Sequence, residues 1–262
     1  VARRLPRSLA CGLLGVLLLA VGGGAGAAPS ARATGSWRVP ILMYHRIDTR
    51  LSAHDPVTVH LTVMAAQFEA QLRLLSQAGY RSLTLDELVD ALTRAVAPPP
   101  RRAVLTFDDG YEDNYTVAFP LLRRYGWTAA FFVVTSTVGT RDHLTVAEIR
   151  EMARAGMAIE SHGQHHIDFS RLPLPVARGE LERSRALIAR WTGRPVRFFA
   201  YPAGRFTPAL VQLLRQVGYR GAVTEIPGFV TASSHPFTLE RVRVDHDDTL
   251  ASFAHKLDLP LP

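Results

Sequence analysis

The chain has 262 residues, 47% hydrophobic and 20% charged, an ordinary globular composition that excludes a disordered or fibrous protein. That length holds one large α/β domain or two small ones. The formal charge of +7 overstates the working basicity: residues 1–27 carry three arginines and no acid, and without them 27 basic face 23 acidic side chains, about +4, too mild to argue for a nucleic-acid partner.

Arg3, Arg4 and Arg7 precede an apolar stretch from Cys11 to Val21, and a small-residue run "GGGAGAAPS" follows. This order reads as a charged n-region, an h-region and an A-x-A-like site at Ala25-Gly26-Ala27. It predicts a signal peptide over 1–27 and a secreted or cell-envelope (periplasmic) mature protein. The h-region falls short of the roughly 20 apolar residues of a membrane span; an uncleaved anchor is the alternative. Cys11 is the only cysteine, so the mature chain offers neither disulfides nor cysteine metal ligands. Residues 28–37 are small and polar, a linker into a single catalytic domain over 38–262.

An apolar run at 39–44 reads as a buried strand and ends in His45 and Arg46. Taken alone, such an end is more often a strand reaching solvent than the mouth of a site. Phe68, Leu72 and Leu75 repeat at helical spacing until Gly79, and Thr84 with Glu87 opens the next helix as a capping box. "APPPRR" leads into a strand at 103–107, followed by a helix around 115–125, the strand "AAFFVV" and a second capping box at Thr145 and Glu148. The strand "MAIE" precedes His162, and a long helix covers about 175–192. After it come the strand "VRFFAY", a helix from Thr207 with Pro208 in its first turn, strands near 220–223 and 241–244, and a last helix near 248–257. Seven or eight strands, each mostly followed by a helix, argue a single α/β barrel of (β/α) type, incomplete or irregular, rather than an open sheet.

Barrel chemistry gathers at the carboxyl ends of strands. Those ends supply His45, then Asp108 and Asp109 in "TFDDGY", then Ser161 and His162, then Pro202, then Arg241 and Arg243. Two adjacent carboxylates repel unless one keeps a proton or a cation lies between them. His162 and His166 stand at i, i+4, which on a helical turn puts both imidazoles on one face; His165 is the competing ligand. Two imidazoles and a carboxylate suit Zn2+, with other first-row divalent metals possible, and three protein ligands leave a position open.

"TFDDG", a His-x-x-x-His preceded by serine, and "FAYPAG" together resemble the motifs of the polysaccharide deacetylases, carbohydrate esterase family 4 with the NodB-homology fold. The likeness runs over nearly all of 38–250 and is nearest to the branch of exported poly-N-acetylglucosamine deacetylases. It implies an irregular (β/α)7 barrel and metal-assisted hydrolysis of N-acetyl groups on a glycan polymer. By resemblance, Asp109, His162 and His166 are the metal ligands and Asp108 is the general base. Ala203 offers its backbone N–H to the oxyanion, and Tyr201 and Pro202 line the substrate. Relatives often carry an arginine at the position of Ala200, which orients the base, and an aromatic at that of Ala203. Arg241 is a candidate replacement for the first, against the plainer reading of a surface arginine on an edge strand.

A general acid must protonate the departing amine, and histidine serves near neutral pH. Relatives supply one from a late strand, whereas His246 and His255 lack that setting; His45 has it if the motif order is permuted. The leading expectation is therefore a secreted, monomeric polysaccharide N-deacetylase with no membrane span in its mature chain. The alternatives are a silent glycan-binding domain and a hydrolase of small non-glycan amides.

Overall fold

Seven parallel strands close into a ring in chain order. They are β1 (Ile41–Tyr44), β2 (Arg102–Phe107), β3 (Ala130–Val133), β4 (Ala158–Ser161), β5 (Phe198–Ala200), β6 (Gly221–Pro227) and β7 (Leu239–Arg243). Each pairs with the next, and the circle shuts where β7 pairs with β1 at Val242↔Leu42 and β1 with β2 at Ile41↔Val104. This computed structural model describes residues 1–2, 37–50 and 55–260, and residues 37–260 so described fall in one compact unit. The predicted signal segment, apart from Val1 and Ala2, and the linker, apart from Trp37, lie outside the described residues. No helix among the described residues is long and apolar enough to cross a membrane.

Helices wrap the ring: α1 (Pro56–Leu61), α2 (Ala65–Gln77), α3 (Leu85–Arg94), α4 (Phe119–Arg124), α5 (Val146–Arg154), α6 (Leu174–Thr192), α7 (Pro208–Val217) and α8 (Leu250–Lys256). Both expected capping boxes form: Thr84 accepts from the Glu87 N–H and Thr145 from that of Glu148, and each glutamate reaches back to its cap. Such caps contribute about 1 kcal/mol each. The helix expected at 115–125 divides in two. Asn114–Ala118 is a π-helical turn, with the Phe119 N–H bonded to the Asn114 carbonyl, and α4 begins beyond it. Pro120 cannot donate to the ladder and crowds the carbonyl four residues back, which favours a wider turn there.

Strand side chains alternate between the two faces of the sheet, and here the alternation sorts two cores. Leu42, Tyr44, Leu105, Phe107, Phe131, Val133 and Phe199 face the helices. Ile41, Val104, Ala130, Phe132, Phe198, Ala200, Val223 and Leu239 fill the barrel. Following the inward parity to the carboxyl ends of the strands gives the topmost interior positions: His45, Asp108, His162, Glu225, Arg241 and Arg243.

Short pieces escaped the sequence reading. Residues Arg46–Asp48 pair with Thr62–Met64, Arg38–Val39 with Val230–Thr231, and Arg81–Ser82 with the start of β2.

Candidate active site

Asp108 and Asp109 leave β2 in different ways. Asp108 continues the inward parity and is 1% exposed. Arg241 meets it from β7 with two parallel hydrogen bonds, Nη1 to Oδ1 at 2.9 Å and Nη2 to Oδ2 at 2.7 Å. The same guanidinium donates Nε–H to the Thr224 carbonyl at 2.7 Å and Nη1–H to Thr106 Oγ1 at 3.2 Å, so its fork is fixed in place. Burial pushes the Asp108 carboxyl up, but the Arg241 charge and hydrogen bonds outweigh it. With His162 and His45 adding to them, they hold Asp108 well below the usual carboxylate range. The edge-strand reading of Arg241 is corrected here: a closed ring has no edge, and the residue is 1% exposed.

Asp109 turns the other way, with φ at +74° followed by Gly110 at +75°. A non-glycine residue in the left-handed region costs about 1–3 kcal/mol and is found where the surroundings impose it. The turn sets Asp109 Oδ1 at 3.5 Å from His162 Nε2 and 3.6 Å from His166 Nε2. One ligand atom from each of the three residues lies within 4.8 Å of the others. His162 Nδ1 lies 2.8 Å from the Ala200 carbonyl, which can only accept. Nδ1 therefore carries a proton, and Nε2, the nitrogen turned to Asp109, is the one left for a metal.

Residues 162–166 form a loop rather than the helical turn expected from the i, i+4 spacing. Gly163 sits at φ +92°, and a Cβ there would stand 2.9 Å from the Phe169 ring. His165 swings out of the trio, and both its N–H and its Nδ1 engage Glu180 at 2.9 and 3.0 Å.

His45 is 6% exposed, and its buried Nδ1 has no hydrogen-bond partner among the described residues. Burial lowers its pKa; Asp108 and Asp109 raise it in part, and Arg243 and Arg241 oppose them. The register Tyr44↔Phe107 sets His45 and Asp108 at the same level on neighbouring strands. Its backbone is clamped: Asn114 Nδ2–H donates to the His45 carbonyl at 2.8 Å, while Asp113 accepts from the Ile47 N–H at 3.1 Å and from Arg46 Nε–H at 2.8 Å. By contrast, His246 bonds the Thr62 carbonyl through Nδ1 at 3.1 Å, and His255 is exposed on α8.

After β5, Pro202–Gly204 makes a tight turn with Ala203 at φ +53° and exposed. Gly204 has no room for a side chain, since a Cβ would lie 2.7 Å from Glu225. Tyr201, expected to touch substrate, is fully buried; its ring packs on Phe199 and Phe206, and its hydroxyl donates to the Phe237 carbonyl at 3.1 Å. Pro202 is buried too. Both therefore support the turn from beneath.

The sequence reading gave no role to several residues at the mouth. Burial, and Asp109 after it, raise the pKa of the Tyr111 hydroxyl, and the Arg46 guanidinium stands 4.6 Å over its ring. Arg243 joins Glu225 at 3.0 Å and Asp245 at 2.8 Å on the rim. An open cleft of about 910 Å³ runs past Arg46, Glu112, Asp113 and Arg141. Tyr111 stands next to the motif "DDG" and Arg46 next to His45, so adjacency was the available signal.

Residues 95–222 match the family model described as polysaccharide deacetylase. YxkH of Bacillus subtilis (strain 168), named for polysaccharide deacetylation, is 34% identical over 207 residues, covering 79% of this chain and 71% of the relative. The poly-beta-1,6-N-acetyl-D-glucosamine N-deacetylase of Staphylococcus aureus (strain MRSA252) is 23% identical over 201 residues, covering 71% and 69%. Among solved structures, the Streptococcus pyogenes deacetylase PplD in complex with acetate superposes with a TM-score of 0.79 at 28% identity, covering 85% of this chain and 99% of that one.

Proposed function

The chain belongs to the polysaccharide deacetylase family, hydrolases of carbon–nitrogen bonds other than peptide bonds, and on that premise we propose an exported, metal-dependent N-deacetylase. Its substrate is an N-acetylglucosamine-containing polymer, an exopolysaccharide or peptidoglycan. The observation that carries the reading is the convergence of Asp109, His162 and His166 beside the ion-paired carboxylate of Asp108. The substrate class is supported by the staphylococcal relative's name, and release of acetate by the acetate held in PplD.

In this reading Asp109, His162 and His166 hold a divalent cation, zinc by the chemistry of two imidazoles and one carboxylate. When bound, the cation supplies Lewis acidity, making water more acidic and the amide carbonyl more electrophilic. Asp108 takes the proton of the attacking water, and Arg241 orients that carboxylate and keeps it ionised. His45 delivers a proton to the departing amine nitrogen. The Ala203 N–H donates to the oxygen that gains charge in the transition state, a contribution of roughly 3 kcal/mol where such donors have been removed.

Acetate release from a panel of glycans, measured with and without chelator, tests the reading. Release that chelator abolishes and zinc restores is expected, with Asp109→Ala and His166→Ala losing bound metal and activity together. Release indifferent to chelator would remove the metal from the reaction. Glycan binding without acetate release would make the domain a silent binder. Sequencing the N-terminus of the exported protein should begin near Ala28.

A further inference from the structure

His165 has no place among the three donors, yet it is tied to the fold more firmly than its neighbour His166. Glu180 takes both its backbone N–H and its ring Nδ1. That carboxylate is 4% exposed and lies on the buried stripe of α6 with Ala177, Leu181 and Ser184, where an apolar residue would be the ordinary choice. A buried carboxylate is expensive unless its partners compensate it.

Two more residues of the same helix face reach the same stretch. Arg183 Nε–H donates to the Gln164 side-chain oxygen, and Ser184 Oγ shares a 2.8 Å hydrogen bond with Ser161 Oγ, which also accepts the Gly163 N–H at 3.1 Å. Positions 180, 183 and 184 are the i, i+3, i+4 set that a helix presents to one neighbour. From the opposite side the segment after β3 donates the Thr135 N–H to the Gly163 carbonyl at 3.1 Å and the Ser136 N–H to that of Gln164 at 2.9 Å. Residues 161–165 are thus gripped on both flanks. The His166 ring is half-exposed and rests edge-on against His162 with centroids 4.9 Å apart, so its position follows from the backbone before it.

We infer that Glu180, acting through His165, is a positioning residue for this loop: it fixes where His166 Nε2 stands and so sets the affinity of the Asp109–His162–His166 site for a divalent cation. The inference rests on reading that trio as a metal site. A ligand left free to wander lowers affinity without being removed, which is why groups behind the ligands matter.

The test is a titration of the metal-stripped full chain with Zn2+ alone, in competition with a chromophoric chelator, alongside thermal melts. Glu180→Ala and His165→Ala should each weaken zinc binding about 10–100-fold, and His166→Ala more. Glu180→Gln, whose amide oxygen still accepts the His165 N–H, should recover part of the loss. His165 is half-exposed, so His165→Ala carries the test if Glu180→Ala does not fold. Zinc affinity within twofold of wild type in His165→Ala, and in any folded Glu180→Ala, would make the contact merely structural and overturn the inference, even if melting temperatures fell. Loss in His165→Ala as severe as in His166→Ala would make His165 a ligand and overturn it as well. No saturable zinc binding by the wild type would remove the metal reading itself, and this inference with it.

Discussion

Asp108 and Glu160 both project from a barrel strand into the interior, and both are nearly inaccessible, at 1% and 4% exposed. Asp108 meets a guanidinium through two hydrogen bonds and is held well below the usual carboxylate range against the upward push of burial. Among the described residues Glu160 receives only the backbone N–H groups of Arg197 and Phe198, each at 2.8 Å, and burial pushes its carboxyl up to about 8. Desolvation acts the same way on both, so the difference is the counter-charge. Two N–H dipoles do not replace a full positive charge in a dry interior. One acid is therefore held ionised, as the proposed general base must be, and the other favours its neutral form up to about 8.

Arg241→Met is the largest way to break that contrast, because it puts Asp108 in the situation of Glu160. Removing one partner of a buried pair costs about 3–5 kcal/mol, read by urea denaturation. The sign of the pH dependence should also reverse. In the wild type the depressed Asp108 contributes stability that is present above the unfolded carboxyl pKa and lost as pH falls through its folded value. In Arg241→Met burial, the largest influence, is opposed only by the weaker pull of His162 and His45, so stability should rise as pH falls, and the acid limb of kcat/KM should move up. Asp108→Asn should abolish the base while retaining metal. If Asp108→Asn emptied the metal site instead, the roles of the two aspartates would be exchanged.

His45 carries a smaller expected loss. His45→Asn should leave metal affinity nearly unchanged and lower the rate roughly 10²–10⁴-fold, the usual span for acid–base groups. Near-normal turnover in His45→Asn with a collapse in His246→Ala would move the role to the late histidine, although that ring is engaged by Thr62.

Much of this site was legible because parallel strands all end at one face, so a residue following an apolar run is placed without knowing the topology. His45, Asp108, Asp109 and His162 were read that way. What was not legible depended on closure and on loop backbone. Arg241 looks like an edge residue until β7 pairs with both β6 and β1. The His162–His166 spacing suggests a helix, but a glycine at positive φ against Phe169 makes a loop that sends His165 outward. Tyr201 was given to the substrate by resemblance alone, and only the three-dimensional packing turns its ring into the core. Three-residue strands such as Arg46–Asp48 are too short to show any periodicity.

The smallest effect sharpens the comparison from the other side. Glu160 binds its proton more tightly folded than unfolded, so between pH 4.5, its ordinary value, and about 8 the native state holds a proton that the unfolded chain has lost. Stability must then fall as pH rises through that window, by at most about 1.4 kcal/mol per unit from this one group. Other groups titrate over the same range, so the informative quantity is the difference between wild type and Glu160→Gln in thermal or urea unfolding at each pH. Glutamine keeps an oxygen for the Arg197 and Phe198 N–H groups but cannot ionise. Its amide adds a buried donor, which shifts the variant by a constant amount and leaves the slope untouched. The wild type should lose ground steadily against the variant from pH 5 to 8 and stop losing it above. A difference independent of pH would mean that Glu160 is ionised in the fold, and the two carboxylates would then differ in partner but not in charge.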